Sequence, residues 1–66
     1  MRAMINGEER TLEDGLTVAG LLELLGTPKN GIAVARNDRV VSRSSQHHER
    51  IEDGDRIEII RAVSGG

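Results

Sequence analysis

Few side chains in this sequence can do chemistry unaided. No cysteine is present, which excludes thiolate nucleophiles, thiolate metal sites and a disulfide framework. His47 and His48 are adjacent. In a strand such a pair points to opposite faces, and in a helix its members diverge by about 100°. They are expected to be solvated loop residues rather than joint ligands of one metal. Ser42, Ser44 and Ser45 lack a local activating base and read as polar loop residues. The single lysine, Lys29, is followed by Asn30, so there is no Walker-type phosphate loop and no expectation of ATP binding by this chain alone. Without a nucleophile, metal cluster or cofactor motif, the chain is expected to be acted on by enzymes rather than to be one, and to bind no cofactor itself.

The remaining chemical feature is the terminal run Ser64-Gly65-Gly66. Residues 63–66 are expected to form a flexible tail on a domain spanning 1–62. Fully extended, Val63 to Gly66 reach about 13 Å, and the two glycines make a thread able to enter a narrow channel. The carboxyl at the end has a pKa near ~3.5 and is ionised at neutral pH. A carboxylate is a poor electrophile, so its use requires activation, for example as an acyl-adenylate formed by an ATP-binding partner. Gly66 is then the candidate attachment residue, with Gly65 and Ser64 as the thread behind it.

The elements that must position this tail are legible in the pattern of apolar residues. The chain has 66 residues, enough for one small domain that buries about 60% of its unfolded surface. Its net charge is -2 and its aromatic content 0%, a poor match for nucleic acid or anionic lipid. No apolar run is long enough to span a bilayer, and Met1 leads directly into a strand-like stretch with no signal-peptide pattern. A cytoplasmic location is expected.

Arg2 to Asn6 alternates, with Ala3 and Ile5 on one side. Asn6-Gly7 is a hairpin signal, and Glu9 to Leu12 returns as a second strand. Val18, Leu21, Leu22 and Leu25 fall on one helical face, so the spacing predicts a helix over 17–25. Thr17 is its N-cap candidate, and Gly26 with Pro28 ends it. Gly20, inside the helix, suggests close packing against a sheet. Ile32 to Arg36 alternates again, Asn37-Asp38 turns, and Val40-Val41 forms a short partner strand. Ser42 to Glu49 is polar and irregular. Asp53-Gly54-Asp55 reads as a tight turn before a last strand containing Ile57 and Ile59. The expected core is Ala3, Ile5, Leu12, Val18, Leu21, Leu22, Leu25, Ile32, Val34, Val40, Ile51, Ile57 and Ile59. The order implies an α+β fold, a mixed sheet of four to five strands packed on one main helix.

Taken together, these residues resemble the ThiS family, the small sulfur carriers of thiamin thiazole synthesis. The resemblance rests on Met4-Ile5-Asn6-Gly7-Glu8, Leu16-Thr17-Val18-Ala19 before Leu21-Leu22, and Val34-Ala35-Arg36-Asn37 with Val40-Val41-Ser42-Arg43-Ser44. It is completed by Asp53-Gly54-Asp55-Arg56-Ile57-Glu58-Ile59, Ala62-Val63 and Gly65-Gly66. Ser64 stands where many relatives have glycine, and Ser42 where proline is frequent. The resemblance implies a β-grasp, ubiquitin-like fold and a chemical cycle. An ATP-dependent activating enzyme of the ThiF type adenylates the Gly66 carboxylate. Sulfur from a persulfide donor, such as a cysteine desulfurase system, gives the thiocarboxylate. A thiazole synthase of the ThiG type takes up that sulfur.

A carrier must also be held by its partners. Ile60 and Ala62 are expected on the open sheet face beside Ala33 and Ala35, with Arg61 and Arg56 adding charge. Other readings are a sulfur carrier for molybdopterin or cysteine synthesis, a ubiquitin-like protein modifier, and a non-covalent binding module with an inert tail.

Overall fold

Turn chemistry and alternation build most of the computed structural model, which describes residues 1–28 and 30–61. β1 (Arg2–Ile5) and β2 (Glu8–Thr11) form an antiparallel hairpin. Asn6 and Gly7 turn it at φ 51° and 81°, the left-handed pair that matches the twist of the flanking strands. β3 (Ile32–Arg36) and β4 (Arg39–Val41) form a second hairpin, turned by Asn37 and Asp38 at φ 52° and 69°. β5 (Arg56–Arg61) inserts between the two. The result is a five-stranded sheet in the order β2-β1-β5-β3-β4. β5 runs parallel to β1 and antiparallel to β3.

The helix α1 (Val18–Leu24) is short, and both of its ends are satisfied. Thr17 Oγ1 accepts from the Gly20 N–H at 3.0 Å. The Val18 and Ala19 N–H groups donate to the Glu49 and Gln46 carbonyls, both at 2.9 Å. The segment after β4, a 3₁₀ turn over Arg43–Ser45 where irregular chain was expected, thus closes the helix start. At the other end the Thr27 N–H reaches the Leu22 carbonyl and the Gly26 N–H reaches that of Glu23. This is a Schellman motif, with Gly26 at φ 67°. Gly20 does not serve helix–sheet contact. A Cβ there would come within 2.8 Å of Leu16 Cδ1 and 3.3 Å of Thr17 Oγ1, so its missing side chain makes room for the residues that open the helix.

One apolar cluster joins helix and sheet: Ala3, Ile5, Leu12, Val18, Leu21, Leu22, Val34, Val41, Ile51 and Ile57 are buried. Leu25, Ile32 and Ile59, expected in the core, pack on its margin. Val40, also expected there, is 76% exposed, and Val41 at 4% takes its place. The two-residue turn decides this. It sets Arg36 opposite Arg39, and therefore Val34 opposite Val41 and Ala35 opposite Val40. Since Val34 faces inward, so must Val41.

Asp55, only 6% exposed, holds the start of β5. Its Oδ2 accepts from the Glu52 N–H at 2.7 Å and from Arg36 Nε at 2.6 Å. Its Oδ1 accepts from Asn37 Nδ2 at 2.9 Å. Arg36 also donates to Glu49 at 3.3 Å, and Asn37 Oδ1 accepts from the Arg56 N–H at 2.9 Å. Burial alone would raise the carboxyl's pKa, but donation from the Glu52 N–H, Asn37 and Arg36 outweighs it and the pKa is lowered.

A depressed folded-state pKa contributes stability that is present above the unfolded value, about 3.9, and is lost as pH falls through the folded value. Asp55→Asn is expected to lose about 1–3 kcal/mol at neutral pH, because buried donors are left poorly paired. In urea denaturation the gap between wild type and variant should narrow as pH drops below about 4. A gap independent of pH would show that the carboxylate charge contributes nothing.

Candidate functional site

The expected tail residues Ser64, Gly65 and Gly66, together with Ala62, lie outside the described residues. What the structure places is the strand that leads to them and the surface around it. β5 is the middle strand of the sheet, bonded on one side to β1 and on the other to β3. Its side chains alternate. Ile57 is buried and Ile59 packs on the core, so Arg56, Glu58 and Ile60 face away from the helix.

On that outer face Ile60 is 56% exposed and lies opposite Ala33. Ala35 lies opposite Glu58 on one side and Val40 on the other. Ile60, Ala33, Ala35 and Val40 therefore share one face, next to the last described residue of β5. The sequence identified all of these except Val40. The signal for Val40 was available: the length of the Asn37-Asp38 turn fixes the register that turns it outward. The rest of this face carries Met4, opposite Arg56 and Glu9, among mostly charged side chains. Arg56 pairs with Asp38 at 2.8 Å and Arg2 with Glu9 at 3.8 Å, exposed pairs that contribute little stability. Arg61 lies opposite Ile32, so it projects on the other face of the sheet from Ile60.

The remaining polar candidates are not brought together for catalysis. His47 and His48 are exposed in a turn, and among the described residues no cluster of three or more His, Asp or Glu is arranged to hold a metal. Ser42 Oγ bonds to Ser45 Oγ at 2.8 Å and lies 3.3 Å from Ser44 Oγ. These hydroxyls close the local turn with one another. Among the described residues no helix is long and apolar enough to cross a membrane.

Residues 3–66 match the model of the ThiS family. This chain belongs to the ThiS family. It is 32% identical over 66 residues to the sulfur carrier protein ThiS of Escherichia coli, with all of both chains covered. The crystal structure of the thiamine biosynthesis protein ThiS from Geobacter metallireducens superimposes with a TM-score of 0.87 at 28% identity, again over the whole of both chains. The fold of the ThiS-family chain is thus the β-grasp that the resemblance implied. It is also 41% identical over 66 residues to a thiazole synthase of Paramagnetospirillum magneticum. It spans 20% of the length of that protein, and the same share of a second thiazole synthase, from Magnetococcus marinus.

The two neighbouring valines of this ThiS-family chain give a direct test of the outer face. Val40→Ser should change stability by no more than about 0.5 kcal/mol, as exposed sites usually do. Val41→Ser should cost about 2 kcal/mol or more, through a cavity and a buried hydroxyl. Urea midpoints of the two variants measure this, and equal losses would contradict the register.

Proposed function

We propose that this chain is a sulfur carrier whose C-terminal Gly66 carboxylate is converted to a thiocarboxylate, and that the sulfur is destined for the thiazole of thiamin. The observation that carries the reading is the position of β5. The strand fixed most firmly in the sheet runs straight toward the tail and presents Ile60 beside Ala33, Ala35 and Val40 on the way. Stable interfaces bury about 800 Å² on each partner. A shallow patch of this kind falls short alone, and a threaded tail of residues 62–66 supplies the remainder.

The chemistry belongs to the partners. An adenylating enzyme of the ThiF type binds ATP, the carboxylate attacks the α-phosphorus, and pyrophosphate leaves. The terminal sulfur of a persulfide, supplied by a cysteine desulfurase system, attacks the acyl carbon and AMP leaves. A second thiol then attacks the donor's sulfur in the acyl disulfide and forms a disulfide with the donor, while the bond to the acyl sulfur breaks and the thiocarboxylate leaves with that bond's electron pair. Both thiols must come from other proteins, since this chain has no cysteine. The carrier itself binds no cofactor and catalyses no step. A thiazole synthase of the ThiG type consumes the sulfur. The likeness to one fifth of two thiazole synthases supports that destination over molybdopterin or cysteine synthesis. The reading places the chain in the cytoplasm, where its ATP-using partner would work.

Incubation with the host's adenylating enzyme, ATP and a persulfide source should shift the intact mass by the difference between sulfur and oxygen. Removal of Gly66 should abolish the shift. Ile60→Asp should keep the circular dichroism of the wild type but raise the KM for loading roughly tenfold, as for loss of a central apolar contact. An unchanged mass with an enzyme shown to be active would refute the carrier reading.

A further inference from the structure

The end of β5 is held differently on its two sides. Toward β3 its register continues to Arg61, opposite Ile32. Toward β1 the register stops at Ile5 and Ile57, because the chain turns away at Asn6 and Gly7. The Arg56 carbonyl faces β3, where it accepts from the Asn37 N–H at 2.8 Å. By alternation, the backbone groups of Ile57, Ile59 and Arg61 face the β1 side. There the Ile57 carbonyl accepts from the Asn6 N–H at 2.9 Å. The next donor, the Ile59 N–H, has no further β1 residue opposite it. It donates to Asn6 Oδ1 at 2.8 Å, so a side-chain carbonyl stands where another strand carbonyl would be.

The turn by itself does not require this. A left-handed φ is met as well by Gly as by Asn, but Gly offers no acceptor. Building on the carrier reading, we infer that Asn6 is a positioning residue for delivery of the C-terminal group. It clamps β5 at Ile59, immediately before the docking residue Ile60. From Ile59 to Gly66 the chain can extend about 23 Å. Without the clamp, the last point held from both sides moves back to Ile57, and about 7 Å more chain is held only by β3. Slack at the root of a tether lowers the concentration of its end at a fixed reacting atom. Because β3 still holds Ile60, the loss should fall on kcat for adenylation and leave KM nearly unchanged, the reverse of Ile60→Asp.

The experiment compares Asn6→Gly, which suits the turn but lacks Oδ1, with Asn6→Asp, which keeps an acceptor and tolerates the same φ. Thr17→Ala, which loses the helix N-cap bond, controls for destabilisation alone. In Asn6→Gly the Ile59 amide should exchange with deuterium roughly five to ten times faster, the loss expected for one hydrogen bond. Its kcat for adenylation by the host's enzyme should fall roughly threefold to tenfold with KM within about twofold. Asn6→Asp should restore both, and Thr17→Ala should alter neither. Unchanged Ile59 exchange, or a kcat in Asn6→Gly equal to that of wild type, overturns the positioning role while the carrier reading stands. A wild-type chain that the active enzyme never adenylates overturns the carrier reading and the positioning role with it.

Discussion

The Asp55 carboxylate is the constraint on which the arrangement depends. It lies at the first residue before β5 and gathers donors from its own turn, from β3 and from the β3–β4 turn. A carboxylate this buried is costly unless nearly every lone pair is used. Here the Glu52 N–H, the Arg36 guanidinium and the Asn37 amide use them. The geometry that satisfies the charge also sets the register of β5 against β3. Arg36 therefore falls opposite Ile57, and every inward and outward position farther along β5 follows.

That register links stability to surface. β5 has to alternate for Ile57 to be buried, and alternation then turns Ile60 outward. The same parity on β4 buries Val41 and exposes Val40. The outer apolar patch is the complement of the core, generated by the same two turns and the same buried charge. A register slip of one residue would bury Ile60 and Val40 and expose Ile57 and Val41. A change in the Asp55 cluster would thus disturb the outer patch without touching the residues that form it.

Much of this was legible in the sequence because it is local. Asn6-Gly7 and Asn37-Asp38 announce their turns, and Val18, Leu21 and Leu22 announce the buried face of the helix. Thr17 and Gly26 announce its ends. The family resemblance lay in residues spread along the whole chain. Val40 was misplaced although the turn length contained the answer, because two adjacent valines carry no alternation of their own. The rest depended on contacts between distant residues. Asp55 sits in Asp53-Gly54-Asp55, a run that resembles any exposed turn, and its burial exists only once Arg36 and Asn37 arrive. The helix start draws on the Gln46 and Glu49 carbonyls in a stretch with no periodic signal. Asn6 reads as a turn residue, and its bond to Ile59 spans nearly the whole sequence.

Under the proposed carrier function, composition and fold divide the chain between a rigid part and a part that would have to travel. A chain without cysteine offers no thiol on which sulfur could ride, so on the proposed carrier reading an acyl cargo would sit on the backbone terminus. A terminus is useful to more than one enzyme only if it moves while its root stays fixed. The middle of a sheet is the firmest root that a domain of this size provides, since a strand there is bonded from both sides. An edge strand would carry the tail on half as many bonds and would leave an open row of donors beside it. Placing the last strand between two hairpins gives the sheet its mixed order, with β1 and β5 parallel, and requires the helix as a crossover between the two hairpins. The β-grasp topology thus makes the last strand the best-held one, which suits a chain whose end, on the proposed reading, is the working part.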